Sequence, residues 1–296
     1  MSHRHVFALI AAAACWGLGA VAAKRAVAEL PPTVLLTVQL STSAAVLSVV
    51  RRLSRGGSRR APLRFGLLGL LNPGLAYLLS LAGLATITVG LSVLLWALEP
   101  VLIVAFAWLL ISERISTRTS LLSAGAIAGA VLAGSAGTEG VSAQGVLLTV
   151  AAVACCAVYT VASSAWMRSE SSLAIVVSQQ WAALGLAAVV LGIHAWWSGG
   201  IHLTDVSPIA WVSAIGSGVV YYGLAFWTYL AGLRHTTAAH AAVFLNLIPL
   251  FGVLGGWMFL GEPVTPWRLV GAAIVVGTVV GVTRAVPAHA SVGLTR

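Results

Sequence analysis

The stretch GLAYLLSLAGL, residues 74–84, returns as GLAFWTYLAGL at 223–233, with seven of eleven letters unchanged. The shift is 149 residues, and the same register carries further: Pro100 meets Pro249, Trp108 meets Trp257 and Glu113 meets Glu262. Matching Gly, Leu and Ala would mean little in a chain so rich in them. Proline, tryptophan and glutamate are scarce here, so their coincidence in one ungapped register indicates an internal duplication. A second echo, AACWGLGAVAA at 13–23 and VACCAVYTVAS at 153–163, lies at an offset of 140, and the polar loop WWSGGIHLTDVS at 196–207 absorbs the difference. The two copies divide the chain into repeats at 1–138 and 139–296.

What each copy contains follows from composition. Of 296 residues, 59% are apolar and only 8% charged, and the mean hydropathy is +1.00, far from the roughly 25% charged residues of soluble domains. A bilayer core takes about 20 apolar residues per crossing helix, and ten such runs are read at 6–23, 33–50, 65–84, 87–112, 119–137, 143–167, 173–193, 208–230, 236–260 and 264–283. They are long and continuous, without the alternation of a membrane barrel, so an all-α integral membrane protein is expected. Arg4 and His5 ahead of the first run, with AVAA near its end, also resemble a signal peptide; removing that segment would spoil the repeat. Five spans per copy make the second copy run in the opposite orientation, an inverted repeat of the kind used by secondary transporters.

The net charge of +9 would suggest nucleic acid in a soluble protein, but placement explains it. With both termini cytoplasmic, thirteen of the sixteen basic residues fall inside and only Lys24, Arg25 and Arg268 outside, a strong positive-inside bias. The cluster RRLSRGGSRRAPLR at 51–64 is accordingly read as a topology determinant, with no nucleic-acid partner expected. Cys15, Cys155 and Cys156 lie inside spans and read as small buried residues, with no disulfide or metal framework.

Three stretches carry a resemblance: AACWGLGAVAAKRA at 13–26, ALEPVLIVAFAWLLISERI at 97–115, and LNLIPLFGVLGGWMFLGEPVTPWRLVGAAIVVGTVVG at 245–281. With them the chain resembles the drug/metabolite transporter superfamily and, within it, the EamA-type ten-span carriers, most like the YddG-type amino-acid exporters. That resemblance implies a proline in the fourth and ninth helices and a glutamate closing each, here Pro100 with Glu113 and Pro249 with Glu262. It also implies export of amino acids, other metabolites or toxic compounds across a bacterial inner membrane, with the direction of transport taken from the resemblance alone.

A solute path through hydrocarbon needs polar or aromatic groups at depth. Glu99 is the acidic residue well inside a span, where an ionised carboxylate facing lipid would cost several kcal/mol or so. It either binds a substrate ammonium, carries a proton, or is a structural group bonded to backbone freed by Pro100. Trp96, three residues earlier, is expected on nearly the same helical face, as an aromatic wall for an ammonium or as ordinary packing. Tyr77 corresponds to Phe226, an aromatic kept in both halves. Tyr159, Tyr221 and Tyr222 add hydroxyls that line the path or join helices. Asn246 and His240 match Ala97 and Leu91, and Glu99 matches Ile248; such chemical asymmetry suits one solute with distinct ends. Gln39, Gln179 and Gln180 read as helix-to-helix hydrogen-bond formers.

Pro100 and Pro249 are candidate hinges, because each removes a backbone bond and kinks its helix. Glu113 and Glu262 read as structural, capping the following helix or pairing with Arg114 and Arg268. The expected function is a secondary transporter of small amphiphilic solutes, most of all amino acids, by alternating access; lipophilic cations and other metabolites remain the alternative. No phosphate-binding glycine loop, HExxH or GxSxG motif occurs, so neither nucleotide hydrolysis nor an embedded enzyme is expected, and no cofactor or metal. A monomer suffices, since ten spans enclose a path alone.

Overall fold

A computed structural model describes residues 3–53, 63–111, 142–164, 172–201, 203–233 and 247–285, with Phe244 and isolated positions between 121 and 129. Most of the fifth expected span, the first part of the ninth, and His240, Asn246, Glu113 and Arg114 lie outside these residues. The described secondary structure is helical: α1 (His3–Val27), α2 (Pro32–Leu53), α3 (Leu63–Thr86), α4 (Val89–Trp96), α5 (Glu99–Ile111), α6 (Ala143–Ser164), α7 (Ser172–Trp197), α8 (208–233), α9 (Ile248–Leu260) and α10 (Pro266–Ala285). Five of these are long and apolar enough to cross a membrane: Val6–Val27, Pro32–Leu53, Leu63–Thr86, Leu173–Trp197 and Pro208–Tyr229. Shorter apolar helices run over Val89–Ile103, Ala143–Tyr159, Ile248–Leu260 and Pro266–Thr278.

Polarity is inverted relative to a soluble domain. Gln39, Ser43, Gln179, Gln180 and Ser217 are buried, while Trp196, Trp227, Phe259 and Trp267 are exposed. A large exposed apolar surface needs an apolar solvent, and the chain is a multi-pass membrane protein.

The duplication is visible in backbone detail. Within α3 the segment Leu70–Leu75 winds as a π-helix, and within α8 so does Gly218–Leu224; a shift of 149 residues superposes them to within one residue. In α3 the cause is local, since Pro73 sits inside and Asn72 leaves helical geometry at φ −143°, ψ 117°. The second half reaches the same winding without a proline. The helices that begin at Glu99 and Ile248 also start 149 positions apart.

Packing follows the same reciprocity. α1 lies against α8 and α9, and α6 lies against α3, α4 and α5. Each copy's first helix thus inserts among the third and fourth spans of the other copy, while α2 and α7 pair with each other. Glycines permit the closest crossings. A Cβ on Gly69 would stand 2.6 Å from Gln179 Cα, and one on Gly218 would stand 2.9 Å from Gln39 Cα. Gly69 and Gly218 open the two π segments, and Gln39 and Gln179 hold matching places in α2 and α7. The same contact is therefore made twice, once from each half, as a two-fold pairing of repeats requires.

The glutamines also bond between helices. Gln39 Nε2 donates to Ser217 Oγ at 2.7 Å, and Tyr159 Oη donates to Gln179 Oε1 at 3.0 Å. At one end of the bundle, Lys24 Nζ donates to the Leu84 and Ile87 carbonyls, each at 2.7 Å, as a cation at the closing turn of α3. Glu262 caps a helix other than the one expected. Its carboxylate accepts from Val89 N at 2.6 Å and Gly90 N at 3.0 Å, at the start of α4 rather than α10. Orphan N–H groups at a helix start favour an anion, and α4 belongs to the opposite repeat. Arg268 donates to Pro263 O and to Thr88 Oγ1, the N-cap of α4.

Candidate functional site

Between Trp96 and Glu99 the apolar stretch Val89–Ile103 tightens into a turn, with Ala97 still in the right-handed helical region and its N–H also bonded to Val93 O. Ala97 and Leu98 form a turn, tightened by bonds from Ala97 N to Leu94 O and from Leu98 N to Leu95 O. Pro100 then falls in the first turn of α5, where its missing N–H costs nothing. Pro249 likewise sits in the first turn of α9, which starts after the turn residue Leu247. Pro100 and Pro249 thus hold the same place in the two copies, the first turn of a helix. Interrupted spans are where transporters place binding groups.

Trp96 and Glu99 bond to different helices, α3 and α6. Trp96 Nε1 donates to Ser80 Oγ at 3.2 Å, and its ring lies 5.7 Å from that of Tyr77. Glu99 turns to α6, where Cys156 Sγ donates to its Oε1 at 3.1 Å and accepts from Asn72 Nδ2 at 3.3 Å. Cys156, read from sequence as a small buried residue, is thus a partner of the acidic residue expected inside a span. Tyr77 reunites the two sides, since it touches Trp96 and lies in the electrostatic range of Glu99.

Further aromatics from α8 close around this point. Tyr77 packs on Tyr222 at 4.8 Å and on Tyr221 at 5.5 Å between ring centroids. Tyr159, Tyr221 and Tyr229 lie within the electrostatic range of Glu99. Phe226 meets the edge of Trp16 at 5.3 Å, and Tyr229 meets the same indole at 5.4 Å. Of the sequence candidates, Tyr77, Trp96 and Tyr222 thus pack in one ring cluster, Phe226 packs on Trp16, Tyr159 bonds Gln179 and Glu99 bonds Cys156. Asn246 lies outside the described residues.

Trp16, Tyr229 and Cys156 join the cluster without having been singled out for it. The repeat held a signal for Tyr229, because it replaces Ser80 at an equivalent position of the opening phrase. Residues that could form a metal site, meaning three or more His, Cys, Asp or Glu together, are not found among the described residues.

Three comparisons bear on this arrangement. A curated protein described as uncharacterized transporter YvbV, from Bacillus subtilis (strain 168), is 24% identical over 272 residues, spanning 89% of this chain and 86% of that protein. A solved structure titled only as the crystal structure of a protein superposes with a TM-score of 0.65 at 22% identity, over 93% of this chain and 97% of that one; it shares the fold. The profile of the EamA-like transporter family matches twice, at residues 3–135 and 143–284, one match to each copy of the repeat. The chain belongs to the EamA-like transporter family.

Proposed function

We propose that this transporter exports small amphiphilic solutes that carry an amine, amino acids with apolar or aromatic side chains first among them, across a bacterial inner membrane. The single observation that carries the reading is Glu99, bonded to Cys156, in a bundle where the Tyr77, Trp96, Tyr221 and Tyr222 rings pack on one another. A carboxylate in a low-dielectric setting favours a cationic partner, and aromatic faces add cation-π attraction and apolar packing. The same groups suit lipophilic cations, which stand as the second reading because their recognition needs nothing beyond the carboxylate and the rings.

In this reading the chain forms ten spans as two inverted five-helix repeats meeting near residue 138, with both termini cytoplasmic. The solute is carried by alternating access, and a monomer suffices. Pro100 and Pro249, each in the first turn of a helix, mark where the halves swing, and Asn246 is a further contact of the solute. Chemical transformation of the solute is not required.

Counterflow in liposomes tests the reading. Preloaded amino acids, organic cations and sugars are exchanged against labelled solute with and without a pH gradient, alongside Glu99→Gln. Amine-bearing solutes should exchange, and Glu99→Gln should weaken them by about thirtyfold or more, the scale of losing a buried charge partner. Robust exchange of sugars alone would overturn the proposal. A pH gradient that drives exchange in the native protein and not in Glu99→Gln would add a proton to the role of Glu99.

A further inference from the structure

Solute with an amine at one end usually carries something else at the other, and the two-fold pairing says where to look for its receptor. The offset of 140 residues that matches Gln39 with Gln179 also matches Trp16 with Cys156, the thiol that donates to Glu99. The 149-residue register matches Glu99 with Ile248. Trp16 therefore holds, beside the break that opens α9, the place that Cys156 holds beside the break that opens α5. Its neighbour Gly17 confirms the position: a Cβ there would lie 2.8 Å from Ile248 O.

The indole is fixed by edge contacts with Phe226 and Tyr229, and Tyr229 in turn feels the charge of Glu99. Yet Trp16 Nε1 is buried with no hydrogen-bond partner. A buried indole N–H ordinarily finds an acceptor, and an orphan donor on a ring that packs against Tyr229 is a donor held in reserve. No acceptor among the described residues takes it, whereas Trp96 is satisfied by Ser80.

We propose that the Trp16 N–H receives the acceptor end of the solute, a carboxylate or carbonyl oxygen, while Glu99 holds its amine. The two breaks then bind opposite ends of one molecule, carboxyl-bearing at α9 and amine-bearing at α5. This rests on the amine-export reading above, and adds to it a group that distinguishes amino acids from plain amines. It also supplies the carboxylate of an amino acid with a neutral donor in a cluster whose described ionisable members include no arginine or lysine.

The test compares phenylalanine with phenethylamine, which differ by that carboxylate, in counterflow by native protein, Trp16→Phe and Glu99→Gln. Trp16→Phe should raise the half-saturation concentration for phenylalanine about tenfold, the scale of a lost bond to a charged acceptor, and leave phenethylamine within about twofold. Glu99→Gln should weaken both. Equal loss of the two solutes in Trp16→Phe, with its thermal stability unchanged, or no loss of either, overturns the role of Trp16 while leaving the amine reading intact. If Trp16→Phe unfolds, 3-benzothienylalanine at position 16 keeps the bicyclic shape and removes only the N–H, and the same two outcomes decide. Native protein that exchanges neither solute overturns the amine reading, and the role of Trp16 with it.

Discussion

Adding one methyl group at Gly218 probes the crossing on which the two-fold pairing depends. The new Cβ would stand 2.8 Å from Gln39 O, 2.9 Å from Gln39 Cα and 3.1 Å from Thr42 Cβ, against 3.4 Å for ordinary contact. Two of those three atoms are backbone, so they cannot turn aside as a flexible side chain would, and α8 must retreat from α2 by roughly half an ångström. Overpacking of this kind costs about 1–3 kcal/mol. Retreat also stretches the bond from Gln39 Nε2 to Ser217 Oγ, one residue away at 2.7 Å, which is worth about 1 kcal/mol. Alanine's better helix propensity returns about 1 kcal/mol. Gly218→Ala should therefore destabilise the protein by about 1–3 kcal/mol. Gly216, on the same helix, has nothing within 4 Å of its notional Cβ, so Gly216→Ala keeps the propensity gain alone. Thermal unfolding of both variants in detergent gives the comparison, with Gly218→Ala melting lower than the native protein and Gly216→Ala at or above it. Equal midpoints for the two would mean that α2 and α8 do not cross closely at the π segment. Gly69→Ala, whose Cβ falls 2.6 Å from Gln179 Cα, should behave as Gly218→Ala does or worse.

Glu262→Gln removes the charge that caps α4 and should lower stability by about 0.5–2 kcal/mol, read as a drop in the thermal midpoint; an unchanged midpoint would show that the cap is immaterial. Ser207 N and Oγ donate to Glu29 at 2.7 and 2.9 Å, and these bonds, the backbone one foremost, hold the Glu29 carboxyl below its usual range. A carboxyl depressed on folding stabilises the fold above its unfolded pKa, and that contribution is lost as pH falls through the folded value. The thermal midpoint of the native protein should accordingly decline more steeply than that of Glu29→Gln below about pH 4.5, and parallel curves would refute the link. Pro249→Ala should slow exchange while leaving folded protein abundant, and an unchanged rate would remove the hinge assignment.

Much of the architecture was legible because a bilayer imposes length and polarity on each helix. Apolar runs marked α1, α2 and α7 to within a few residues at each end, and the scarce letters Pro, Trp and Glu exposed the duplication that the twin π segments and the paired Gly–Gln crossings express in three dimensions. The helix breaks were not legible. Ala97 and Leu98 are apolar residues indistinguishable from their neighbours in a hydrophobic run, so the fourth span read as one helix. Pro100 was visible, but a proline signals a kink and a first helical turn equally well; only the backbone decides.

That one ambiguity propagates into the site. With an unbroken helix, Trp96 and Glu99 share a face and a single wall carries both the ring and the charge. With the break, Trp96 is tied to Ser80 and Glu99 to Cys156, and the two are joined through Tyr77 on a third element. The same break explains why Trp16 escaped notice. A tryptophan in an apolar span carries no functional signal until the repeat is known to pair it with Cys156, and Cys156 carries none until the start of α5 turns Glu99 toward α6. The residues of the cluster thus acquire meaning in sequence: the turn orients the acid, the acid marks the thiol, and the two-fold carries that mark to an indole whose N–H has no acceptor among the described residues. A duplicated fold with an acid at the start of α5 and an indole donor beside the start of α9 is built to tell the two ends of a solute apart, which identical halves could not do.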